Sequence, residues 1–386
     1  MNEVKRRFSG EFSKNMEGKM KKFLLVILIC VFAGTLILAS CGEPSTTTPT
    51  PTTPTPSSPA PTPVKPVVIK FGTDLPPTLP PVVGLHWWAD EVTKATEGRV
   101  TVEMYPASSL CTQDAALESV LTGVADMYLL SISSHRKVFP ISDITGLPGV
   151  GFPDETLEAN TAHMNTFFEL LDKYPAAAAE YKDFGPMFLY IIYSEAYLMS
   201  KPEIRVPKDI KGLKVGSNGI RLELVEMMGG APVTDIPPLA YEKLQTGVTD
   251  ATFAAISAVH DFQIFEVTDY ALDVPFGGGG MPCVINKDSW NKISAQDQQI
   301  MKNLAPQAAE RSHVALADLN TLSWQEMVDF DMKVTATAGE RALWDAEFAK
   351  LWDEWIDHAV AAGMSMSDAQ GLLDWWKSKS GAEWAK

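Results

Sequence analysis

The chain reads as an α/β protein with more than one domain, and three observations predict this. Residues 208–250, KDIKGLKVGSNGIRLELVEMMGGAPVTDIPPLAYEKLQTGVTD, alternate a turn, a short apolar run, a helical period, a glycine stop, a second apolar run and a second helix. A β-α-β-α unit with so little loop belongs in a parallel sheet. At 386 residues and 46% hydrophobic content, the chain can bury more than one core. From Asp288 onward the pattern is helical almost to the end.

Taken in order, residues 1–19 are polar and without a periodic apolar face, and Met20-Lys21-Lys22 then precedes a mostly apolar run over 23–38. Positive charge ahead of an apolar run too short for a comfortable membrane span is the layout of a secretion signal, with Met20 as the start of translation. The run ends in Leu38-Ala39-Ser40-Cys41, which is similar to a bacterial lipobox. Residues 1–41 are thus expected to be a lipoprotein signal peptide whose Cys41 takes a diacylglyceryl group and holds the mature protein on a membrane surface. Residues 42–66 are dominated by Pro, Thr and Ser, cannot bury enough apolar surface to fold, and are expected to form an extended tether.

The folded part opens with an apolar strand at 67–73, a loop begun by Asp74 and its following prolines, a helix over 84–97 stopped by Gly98, and an alternating strand at 100–105. A helix within 117–127 leads to a strand entering at Asp126, and Asp154 is placed to cap a long helix through Tyr174. Residues 187–199 form one long apolar and aromatic strand, residues 261–270 continue the second half, and Gly277–Gly280 precede a strand over 281–286. Trp344, Phe348, Leu351, Trp352, Trp355, Ile356 and Ala359 fall on one stripe of a late helix, which reads as core.

Three spaced pieces, P-K-D-I-K-G-L-K-V from Pro207, M-G-G-A-P-V from Met228 and Y-E-K-L-Q-T-G-V-T-D from Tyr241, resemble the signature of the DctP-type substrate-binding proteins of TRAP (tripartite ATP-independent periplasmic) transporters. The resemblance extends over about residues 69–332. It implies a two-lobed, periplasmic-binding-protein-like (type II) clam with hinge strands and a long C-terminal helical region. Lobe I is then 67–192 plus 280–319, and lobe II is 193–279 plus 320–386. It implies further that the protein captures a small organic ligand, carboxylate-bearing by family habit, and delivers it to a TRAP membrane permease.

Where the family carries an Arg two residues after G-L-K, this chain has Gly216. Compared with sialic-acid-binding relatives, an Asn is replaced by Ala254, a second cleft Arg by Glu195 and a cleft Glu by Ser131. Two readings of Gly216 remain. Arg221 swings into the cleft and supplies the missing cation, its fork suiting a carboxylate; or the ligand is less acidic or more aromatic and is held by Tyr190, Tyr193, Tyr197 and Phe253. The bland alternatives are a solvated Arg221 and tyrosines that fill the core. Asp74, Ser131, Tyr193, Glu195, Gly216, Asn218, Arg221, Phe253 and Ala254 are the residues expected at the ligand.

Other functions find little support. A formal charge of −16 argues against nucleic acid. The six His stand in no zinc spacing, no G-x-S-x-G elbow occurs, and Gly277–Gly280 lack the Lys-Ser/Thr of a phosphate loop, so no catalytic residue, metal or cofactor is expected. A sensory or scavenging module presenting ligand to a receptor is the alternative to transport. In the mature chain Cys111 and Cys283 are either bridged or two free thiols.

Overall fold

A computed structural model describes residues 66–152, 156–235 and 237–380. The expected signal peptide, Cys41, all but the last residue of the tether, and Asp154 lie outside the described residues. Among the described residues, no helix is long and apolar enough to cross a membrane.

The chain begins with β1 (Val67–Gly72), α1 (Pro80–Ala95) and β2 (Val100–Tyr105). Helix α1 starts four residues ahead of the expected Gly84, because Pro80 and Pro81 occupy first-turn positions whose missing N–H groups have no helical partner to lose. The short α2 (Ala116–Leu121) and β3 (Met127–Leu129) follow, then α3 (Leu157–Lys173) and α4 (Pro175–Ala179). Thr156 caps α3, its side chain accepting from Ala159 N–H.

The long strand expected over 187–199 is two strands, β4 (Tyr190–Tyr193) and β5 (Ala196–Ser200), interrupted by Ser194 and Glu195 where the chain passes from one sheet to the other. Next come β6 (Lys214–Ser217), α5 (Arg221–Met227), β7 (Ala231–Thr234), α6 (Pro237–Thr246), β8 (Ala251–Ala255) and α7 (Ile256–Asp261). After β9 (Tyr270–Leu272) the chain returns through a glycine run into β10 (Gly279–Ile285). The C-terminal region holds α8 (Lys287–Asn291), α9 (Ala295–Asp329), the two-residue β11 (Lys333–Val334), α10 (Ala338–Ala361) and α11 (Met366–Ser380). Strand β11 was not expected in that helical region; it is too short for a period-2 pattern to register.

Two mixed sheets result. The first has the order β2-β1-β3-β10-β4, with β1 parallel to β2 and β3, and β10 antiparallel to β3 and β4. The second has the order β11-β9-β5-β8-β6-β7, with β6 parallel to β7 and β8. Helix α9, about 50 Å long at 1.5 Å per residue, serves both. Its first half packs on α1: Trp88 donates its indole N–H to Met301 O at 3.1 Å, and Gly84 N–H donates to Ser312 Oγ at 3.1 Å. Further along, Asn320 Oδ1 accepts from Ser194 Oγ at 2.8 Å, and Trp324 lies edge-on to Tyr197 with ring centroids 4.8 Å apart.

The aromatic stripe of α10 is core: Trp344, Phe348, Leu351 and Trp355 are fully buried, and only Trp352 is half-buried, its N–H bonded to Pro148 O at 2.8 Å. Helix α11 packs against α3, where Trp376 meets His163 edge-on and bonds Val150 O at 3.1 Å. Cys111 and Cys283 are both free thiols, the second fully buried.

A Cβ at Gly84 would stand 1.9 Å from Ala308 O on α9. Because backbone cannot yield as a side-chain tip can, Gly84→Ala is expected to destabilise the protein by at least about 2 kcal/mol, a typical overpacking penalty, measured by urea unfolding with an unchanged m-value.

Candidate functional site

The carboxyl ends of the parallel strands β1, β3, β6 and β7 open onto one cavity of about 440 Å³ shared by the two sheets. That placement is where α/β sheets bind ligands, because side chains and loops converge there. From the first sheet come Asp74 after β1, Gln113 ahead of α2, Ser131, Ser133 and Ser134 after β3, and Tyr193 at the end of β4. From the second come Asn218 and Arg221 after β6, Thr234 and Asp235 at β7, Lys243 on α6, and Phe253 and Ala255 on β8. Gly277–Gly280 close the back.

Six of the residues expected from the sequence thus meet here: Asp74, Ser131, Tyr193, Asn218, Arg221 and Phe253. Three do not line the cavity. Ala254 faces the opposite side of β8, packed with Tyr197 and Met199, because successive strand residues alternate faces. Glu195 lies in the sheet crossing behind the cavity wall, buried against Gly151 and Gly278. Gly216 is covered: a Cβ there would stand 2.6 Å from Asp235 Oδ2 and 2.9 Å from Thr252 Oγ1. A neighbouring carboxylate thus fills the space into which a side chain at 216 would grow.

Of the four aromatic candidates, Tyr193 and Phe253 face the cavity, while Tyr190 and Tyr197 are core. Tyr190 stacks on Phe167 with centroids 3.9 Å apart, and its hydroxyl lies against Gly280 so closely that no Cβ fits there. The glycine run is likewise explained by close approach: Gly277 has φ +85°, and a Cβ on it would meet Gly146 O at 2.1 Å.

Arg221 is neither solvated nor loosely poised. Its guanidinium is buried, with Nη1 donating to Gly277 O at 3.1 Å and Nη2 donating to Asn218 Oδ1 at 2.7 Å. Glu195 and Asp143 balance its charge, and burial pulls its pKa down. Asp143 also pairs with Arg136 at 3.4 Å, and Arg136 pairs in turn with Glu223 on α5. Behind the cavity, therefore, buried and half-buried charges link the segment after β3 to the start of α5.

Sequence reasoning missed Lys243 and Asp235. Lys243 Nζ donates to Thr234 O at 2.7 Å and pairs with Asp235 Oδ1 at 3.0 Å, which brings a second cation to the cavity. The Y-E-K-L-Q motif marks the helix, but which face of α6 looks into the cavity depends on how it crosses β6 and β7. Gln113, ahead of α2, was also missed; its amide, oriented to satisfy both ends, donates to Asp74 Oδ1 at 3.1 Å and accepts from Ser131 N–H at 2.7 Å.

Burial raises four carboxyl pKa values here and in the adjoining core: Asp74 and Asp143 to about 6, Glu180 and Glu195 to about 7. At Asp143 the guanidinium groups of Arg136 and Arg221 oppose the shift, and at Glu195 that of Arg221 does, without cancelling it. A carboxyl with a raised folded pKa favours the folded state while protonated, so its contribution is lost as pH rises from the unfolded value toward the folded one. Stability is expected to fall between about pH 4 and pH 7. Glu195→Gln should flatten that slope by up to about 1.4 kcal/mol per pH unit, one proton's worth, in denaturant titrations across the range.

Comparison with known proteins gives concordant results. Residues 71–358 match the model of the family described as bacterial extracellular solute-binding protein, family 7. The C4-dicarboxylate-binding periplasmic protein DctP of Rhodobacter capsulatus is 25% identical over 314 residues, covering 77% of this chain and 89% of that protein. Among solved structures, a TRAP periplasmic solute-binding protein from Bordetella bronchiseptica with bound (R)- and (S)-mandelate has a TM-score of 0.71 at 22% identity, covering 82% of this chain and 99% of that one. One from Chromohalobacter salexigens with bound D-glucuronate has a TM-score of 0.68 at 21% identity, covering 81% and 99%.

Proposed function

We propose, from the premise that this chain belongs to bacterial extracellular solute-binding protein family 7, that it closes two lobes on one small organic acid in the shared cavity and hands it unaltered to a TRAP permease. The family is one of transport proteins and not of enzymes, and its members work outside the cytoplasm. The carrying observation is a cavity walled by both sheets with two cationic side chains, Arg221 and Lys243, on the second wall. The lobes are taken as 67–192 plus 280–319 and 193–279 plus 320–386. Support for that division comes from the two sheet crossings, at Ser194-Glu195 and at the Gly277–Gly280 run, which are the points where a hinge can act.

In this reading the open and closed forms interconvert, and a ligand touching both walls favours closure by its greater affinity for the closed form. Arg221 anchors the ligand carboxylate together with Lys243, which has three donors and spends two on Thr234 and Asp235. Asn218 orients the guanidinium, Tyr193 offers a phenol that finds no partner among the described residues, and Phe253 supplies an apolar face. A true ligand at 100 times its dissociation constant should add about 2.7 kcal/mol of stability, which makes a thermal-shift screen of organic acids the direct route to it. With a carboxylate found that way, Arg221→Ala is expected to weaken binding at least tenfold by calorimetry, and an unchanged affinity refutes the anchoring role.

We further read Cys41 as the lipid attachment site and residues 42–66 as a tether, which at about 3.1 Å per residue holds the lobes on the order of 60 Å from the membrane. In cells, Cys41→Ser should move the protein from the membrane fraction to the soluble extracytoplasmic fraction. Membrane retention of that variant counts against lipidation.

A further inference from the structure

Building on the solute-binding reading just given, we propose that the ligand is a carboxylate whose far end carries a hydrogen-bond donor, above all an ammonium group, received by Asp74, and that acids with a second carboxylate at that end are rejected. The cavity is polarised. Among its described lining residues, Arg221 and Lys243 are the only basic side chains, and both belong to the wall made by the second sheet. The first wall has no base and carries carboxylates and hydroxyls, Asp74, Asp114 at the exposed rim, Ser131, Ser133 and Ser134, whereas the second wall's lining carboxylate, Asp235, is paired with Lys243. A carboxylate therefore has one favourable end of the cavity to occupy.

Asp74 is the feature that such an arrangement leaves unaccounted for. It is half-buried, yet no basic side chain pairs with it among the described residues. Gln113 holds one of its oxygens, and the nearby phenols of Tyr128 and Tyr193, whose pKa values burial raises, are pushed up further by its charge. Burial without a counter-charge raises the Asp74 carboxyl toward neutral pH. A ligand cation supplies the missing partner, and a hydroxyl supplies a weaker one. A dicarboxylate puts like charge against Asp74, so the residue selects by repulsion as well as by attraction.

The test is calorimetry at pH 7.5 with two matched sets of probes: 4-aminobutyrate, 4-hydroxybutyrate, butyrate and succinate; then 4-(aminomethyl)benzoate, 4-(hydroxymethyl)benzoate, 4-methylbenzoate and terephthalate. Within a set that binds, the amine is expected to exceed the methyl compound at least tenfold and the dicarboxylate to be weakest. Asp74→Asn should erase the amine preference and relieve the rejection of the dicarboxylate, and Asp74→Glu should retain both. The preference should also fade as pH falls below about 6, where Asp74 takes up its proton. A dicarboxylate that binds as tightly as its amine partner overturns the inference, as does an amine-to-methyl ratio unchanged by Asp74→Asn, and either result leaves the solute-binding reading standing. Failure of every carboxylate in both sets to bind overturns the carboxylate reading along with it.

Discussion

A guanidinium cannot be buried alone, and the satisfaction of Arg221 governs how the two sheets meet. Its hydrogen bond to Gly277 O reaches into the return crossing, and its electrostatic partner Glu195 sits in the outward one. One side chain at the start of α5 therefore bonds to one of the places where the polypeptide changes sheets and interacts electrostatically with the other. Glycines are needed around it because the segments must come close enough for their carbonyls and carboxylates to reach the charge: Gly151, Gly277 and Gly278 each meet another backbone or Glu195 where a Cβ would be. Charged groups this deep are costly to strip of water, and they persist because removing one partner leaves the rest uncompensated.

Much of the architecture could be read from the chain because short β-α-β-α units announce themselves. The turn at Gly212, the apolar run before Ser217 and the glycine stop at Gly229 each fix a boundary by local stereochemistry, and the observed β6, α5, β7 and α6 lie within a residue or two of expectation. What local signals could not convey was the break at Ser194-Glu195. These two polar residues interrupt an apolar run, and their burial depends on Asn320, Arg221 and backbone N–H groups brought from elsewhere in the sequence.

The cavity was legible in its strand-end loops and illegible in its helices. Asp74, Ser131 and Asn218 were placed by the family resemblance, and the structure puts them in loops at the carboxyl ends of parallel strands, where side chains converge on a cavity. Lys243 was not placed there, since a helical lysine is ordinarily a solvated one and only the crossing of α6 over β6 and β7 turns it inward. The carboxylate it pairs with, Asp235, also fills the space beside Gly216, so in this chain the cation at the cavity stands on a helix and not on β6.

Helix α9 acts as a spine for the whole molecule. Along its length it meets α1 through Ala308 and Ser312, β4 through His313, the outward crossing through Asn320, and β5 through Trp324. In the proposed closure this rod cannot stay a bystander: it is fastened to the first sheet's side through Gly84, Ser312 and His313 and to the second through Asn320 and Trp324, so any hinge at the two crossings strains a single continuous helix that bridges them.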